Sequence, residues 1–127
     1  MKIQIDTPSA DRNIIQSYSP AGIIINNLLY PQSLIISPVQ IIDNWSAVSP
    51  SMLLPSHFTP VIEQQPELIL IGTGKRLQFP DQEILALIMG RNIGVEVMDT
   101  AAACRAYNFI AGEGRKVIAT LININSE

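Results

Sequence analysis

The sequence holds one cysteine, one histidine and one tryptophan in 127 residues, and charged side chains make up only 15%. With Cys104 alone, no disulfide can form within the chain, and the redox compartment stays open. One Cys and one His cannot supply the three or four ligands of a metal site, so neither a metal nor another cofactor is expected. Cys104 sits in an alanine-rich stretch suited to burial, far in sequence from His57 in a proline-rich loop. That placement argues against a Cys–His nucleophile pair. A Gly-x-Ser-x-Gly elbow is also missing, which removes the usual serine hydrolase arrangement. No catalytic residue is therefore assigned.

Excess positive charge is absent too. Eight Lys and Arg stand against eleven Asp and Glu, a net charge of −3, which argues against a nucleic-acid partner. Residues 13–42 carry no charge at all, yet Pro20, Asn26, Asn27, Pro31, Gln32 and Pro38 interrupt them every few positions. A membrane-spanning helix needs about 20 mainly apolar residues, so no membrane insertion is expected. Residues 1–20 show neither a basic start followed by an apolar run nor a basic, serine-rich leader, and the expected location is cytoplasmic.

What remains is apolar: 47% hydrophobic residues, enough to bury a core and to exclude intrinsic disorder. A chain of this length buries roughly two-thirds of its unfolded surface, so one domain over residues 1–127 is expected. Its halves differ. Eight of nine prolines but only six charges lie in residues 1–66, while six of seven glycines and thirteen charges follow. The first half reads as short strands. Lys2–Asp6 alternates polar and apolar, and Asn13–Tyr18, Gly22–Ile25, Leu28–Tyr30 and Leu34–Ile36 form β-branched runs between turn formers. Together they predict an antiparallel meander, with a tight hairpin at Asn26-Asn27. Residues 46–60, with Pro50, Pro55 and Pro60 among serines, read as a loop with a short helical turn. Trp45 is either a core plug or an interface anchor.

The second half predicts strand–helix–strand–helix–strand. Glu67–Ile71, continuously apolar after Glu67, suits a strand buried on both faces. Pro80-Asp81 opens a helix, Asn92 provides a left-handed stop, and Val95–Met98 is the next strand. Asp99 caps a helix over roughly 100–110, and Val117–Ile122 closes as a strand. The fold class is α/β, a central sheet with an added N-terminal antiparallel β segment.

Two groups of residues stand out as candidate sites. Gly72, Thr73, Gly74, Lys75 and Arg76 follow a strand, where open α/β sheets bind ligands, and two glycines beside two cations would suit a small anion. The spacing matches neither a phosphate-binding loop nor a dinucleotide fingerprint, so a structural turn is the competing reading. Asp99 and Thr100 end the neighbouring strand on the same edge. They serve either as a helix start or as a carboxylate facing Lys75 and Arg76 across a crevice. Asn108, Glu113 and Arg115, near the end of the second helix, read either as solvated turn residues or as a patch contacting a protein partner.

Pro66–Gly74, Gly94–Thr100, Ala103–Phe109 and Glu113–Arg115, in that order, resemble one family. It is the domain-of-unknown-function family that includes mitochondrial complex I assembly factor 3 and the adipogenesis-associated protein. The resemblance implies a three-layer arrangement: a central mixed sheet, helices on its faces, and a last strand antiparallel to its neighbours. It also implies a non-catalytic assembly or interaction module acting through protein partners. The alternative carried beside it is a small anionic-ligand binder or enzyme using residues 72–76 with Asp99.

Overall fold

A computed structural model describes residues 12–125; the strand expected at Lys2–Asp6 lies outside them. The N-terminal segment is a three-stranded antiparallel sheet of β1 (Ile15–Ser19), β2 (Gly22–Ile25) and β3 (Leu28–Tyr30). Asn26 and Asn27 take φ of 53° and 66° between β2 and β3, the paired left-handed conformation of a two-residue hairpin. The Gln16 side chain holds the Asn27 amide, fixing β1 beside this turn.

The expected meander stops at β3. Next come β4 (Leu34–Ser37) and β5 (Gln40–Ile42), which enter a separate five-stranded sheet. The physical reason is burial on both faces: Leu34 and Ile36 point into one core cluster and Ile35 into the other. An edge meander would leave one of those faces wet.

Two short 3-10 turns, Pro50–Met52 and Pro55–Phe58, lead into α1 (Thr59–Ile62). Trp45 is a core plug here, with its Nε1 donating to the His57 carbonyl at 3.0 Å and its ring edge-on to Phe58. Then follow β6 (Leu68–Gly72), α2 (Gln82–Met89), β7 (Gly94–Met98), α3 (Thr100–Gly112) and β8 (Val117–Leu121). The helix α2 stops at Met89, short of the expected end, and Asn92 supplies the left-handed residue (φ 63°) before β7.

The central sheet runs β5-β4-β8-β6-β7. It is mixed. β8 lies parallel to β6 but antiparallel to β4, so the antiparallel expectation for the last strand holds on one side only. Alternation along β6 divides the core: Leu68 and Leu70 face α3 and the small sheet, whereas Ile69 and Ile71 face α2, Trp45 and Phe58. These are the three layers, with α3 plus β1–β3 on one face and α2 plus the proline-rich turns on the other.

Cys104 and His57 belong to opposite faces. Cys104 is buried on α3, and burial pushes its thiol up to about 12, while His57 lies against Trp45. The unfolded thiol titrates at its ordinary value of 9.0 and the folded one near 12. A raised folded pKa means the contribution is intact below pH 9 and lost as pH climbs from 9 toward 12. Buried Tyr107 is shifted in the same direction, again by desolvation. Chemical denaturation from pH 8 upward should therefore show stability falling most steeply above pH 9. Iodoacetamide at pH 8 should label Cys104 only after unfolding; rapid labelling of the folded protein would contradict this burial.

Candidate functional site

The carboxyl ends of β6 and β7 bring together Gly72, Thr73, Gly74, Asp99 and Thr100. The junction is tightly tied. The Thr73 amide donates to the Met98 carbonyl at 2.9 Å, and the Gly74 amide donates to Thr100 Oγ1 at 2.8 Å. Thr100 Oγ1 in turn donates to the Ile122 carbonyl at 2.6 Å, while its own amide donates to the Gly74 carbonyl at 3.0 Å. One hydroxyl thus joins the loop after β6, the start of α3 and the end of β8. Gly72 keeps this junction close: a Cβ there would stand 3.0 Å from Thr100 Oγ1 and 3.1 Å from both Ala103 and Leu121. Thr73 Oγ1 holds the loop's return, at 2.6 Å from the Arg76 carbonyl. Lys75 and Arg76 are exposed at the tip.

Asp99 is the N-cap of α3, its Oδ1 accepting from the Ala102 amide at 2.8 Å. Asp99→Ala should cost about 0.5–2 kcal/mol, and each kcal/mol lowers the melting temperature of a chain this long by roughly 3–6 °C. Asp99→Asn should recover most of the loss, since asparagine caps nearly as well. A thermal melt of both variants checks this; an unchanged alanine variant would remove the cap from the account.

Asn108, Glu113 and Arg115 lie at the opposite end, by the amino ends of the parallel strands. The Asn108 amide does what a neighbouring strand would do: its Oδ1 accepts from the Ile15 amide at 2.9 Å and its Nδ2 donates to the Ile15 carbonyl at 2.7 Å. Tyr107 adds a bond from its hydroxyl to the Asn13 carbonyl at 2.8 Å. Helix α3 therefore fastens the small sheet through successive residues. Arg115 pairs with Glu67 at 3.4 Å, both about half exposed, an ion pair worth about 0–1 kcal/mol.

A cleft of 420 Å³ opens here, with Asn108, Ala111 and Glu113 on one wall and Arg12 and Ile14 on the other. A second cleft of 280 Å³ adjoins it through Arg12 and Gly114, which line both, and takes in Arg115 and Lys116. Residue-level reading missed Arg12 and Lys116. Arg12 follows Asp11 and Lys116 follows Arg115, and only the chain's return brings the two cations together. Among the described residues, no group of three or more His, Cys, Asp or Glu is placed to hold a metal. Among them, no helix is long and apolar enough to cross a membrane.

Comparison with known proteins gives a consistent family. The zebrafish (Danio rerio) NADH dehydrogenase (ubiquinone) 1 alpha subcomplex assembly factor 3 is 35% identical over 112 residues, 86% of this chain. The chain spans 63% of that protein's length. The 13 kDa major membrane protein of Francisella tularensis is 30% identical over 108 residues, covering 84% of this chain and 88% of that one. An NMR structure of a Xanthomonas campestris protein superposes with a TM-score of 0.82 at 34% identity, covering 100% of this chain and 96% of its own. The model of a family described as "Protein of unknown function (DUF498/DUF598)" matches residues 15–122, and this chain belongs to that family.

Proposed function

We propose that this chain is a non-catalytic interaction module that serves in assembling a protein complex, with Asn108, Glu113 and Arg115 in the contact surface. The zebrafish relative carries the reading: it is 35% identical over most of this chain and named for assembly of a subcomplex. The surface offers a cleft of 420 Å³ with a charged rim, and rim charges set encounter rate and partner choice. The test is affinity purification with quantitative mass spectrometry at physiological salt, comparing the native chain with Glu113→Lys. A partner enriched on the native chain and depleted on the variant is the expected result. Recovery of no partner, or equal recovery by both, would overturn the proposal. A cytoplasmic location belongs to the same proposal and is checked by cell fractionation. Recovery with membranes, as the name of the Francisella relative would have it, would overturn that part.

The second reading places a small anion at Gly72–Arg76 with Asp99 and Thr100. Exposed Lys75 and Arg76 at the carboxyl end of the parallel strands favour it. The amides of Thr73 and Gly74 already donate within the protein, so the cations would have to hold the anion without those two donors. A thermal-shift screen of nucleotides, phosphosugars and carboxylates tests it, because a bound ligand raises the melting temperature by mass action.

A further inference from the structure

The 280 Å³ cleft differs from its neighbour in charge and wall chemistry. Among the described residues it is lined by apolar Pro38, Val39 and Ile118 and by the cations Arg12, Arg115 and Lys116, with no carboxylate among them. Glu67 pairs with Arg115 and accepts from the Lys116 main-chain amide, whereas no described carboxylate makes an ion pair with the Arg12 or Lys116 side chain. In a chain of net charge −3, three cations gathered around one cleft are a local exception.

Val39 gives a second, independent indication. It occupies the turn between β4 and β5 and is 85% exposed, more than any other large apolar side chain described. The turn is held firmly. Ser37 Oγ accepts from the amides of Val39 and Gln40, and Asn13 bonds to both the Ser37 and Pro38 carbonyls. An apolar side chain kept in water on a rigid turn, beside Arg12 and Lys116, is preorganised to meet an apolar group that ends in an anion.

We propose that this cleft binds an apolar group bearing a carboxylate, with the apolar part against Val39, Pro38 and Ile118 and the carboxylate between Arg12 and Lys116. Binding here is read on the isolated chain with small probes, so it holds or fails separately from the assembly proposal. The carboxylate can come from a free organic acid or from the end of another polypeptide. Titration of the ¹⁵N-labelled full chain with two probe pairs separates these sources. One pair is 4-phenylbutyrate and 4-phenylbutanol; the other is a short peptide ending in leucine, with its terminus free or amidated.

Saturable shifts centred on Val39, Gly114 and Lys116 are expected with the charged member of a pair and not with its neutral counterpart. The pair that saturates at the lower concentration identifies the source. The Arg12→Gln/Lys116→Gln variant should keep a dispersed folded spectrum and bind about tenfold more weakly, the effect of one or two partly exposed ion pairs. Higher salt should weaken native binding in the same sense. Equal binding of neutral and charged probes, equal binding by the variant, or no saturation by about 10 mM would overturn the proposal.

Discussion

Gly22→Ala should disable the N-terminal sheet. The added Cβ would lie 2.5 Å from the Tyr30 carbonyl oxygen and 2.9 Å from Pro31 Cα, both backbone atoms that no rotamer change can move aside. Gly22 also has φ of +140°, a conformation that an L side chain rarely adopts. Backbone strain of about 1–3 kcal/mol and overpacking of about the same size act together, a loss of roughly 2–6 kcal/mol. The damage should be local at first. Hydrogen exchange should accelerate in β1–β3 while β6 and β8 stay protected, because the central sheet has its own strand pairing. An alanine variant with native exchange across β1–β3 would contradict this account.

Thr100→Val should be nearly as costly despite preserving shape. Thr100 is fully buried, and its hydroxyl accepts from the Gly74 amide and donates to the Ile122 carbonyl. Valine fills the volume but leaves a buried N–H and a buried C=O without that partner. A buried polar group left unsatisfied costs about 1–3 kcal/mol, so with two such groups a loss of about 2–6 kcal/mol is expected. Thr100→Ser keeps the hydroxyl and should lose less than half as much. Denaturant melts of the two variants make the comparison; equal destabilisation would show that the methyl packing, not the hydroxyl, matters.

The second half of the fold was legible because its signals are local. Leu68–Ile71 is an uninterrupted apolar run, and Asp99 precedes an alanine-rich helix, so strand and cap can be read within a few residues. The destination of Leu34–Ile36 was not local. Its three apolar residues suit an edge hairpin or a central strand equally, and only pairing with β8 decides between them. The roles of the candidate residues divided the same way. Gly72 and Thr100 stand out as site residues in the sequence, but the hydroxyl that ties three elements depends on contacts far apart in sequence. The cleft near Val39 was invisible for that reason: Arg12, Val39 and Lys116 come from three separate segments, and none belongs to a motif.

The position of β8 has a consequence for biosynthesis. The last described strand to leave the ribosome is the middle strand of the five, inserted between β4 and β6. Until it emerges, the β4–β5 hairpin and the β6–β7 pair each present an open edge, the kind of surface on which chains join one another wrongly. Sheet closure therefore waits for β8 to emerge rather than starting with the first strands. A chain released before Val117 would have both flanks of the sheet and nothing to join them. Such fragments should be captured by chaperones or aggregate, whereas a single weakening substitution within β8 should mainly delay closure.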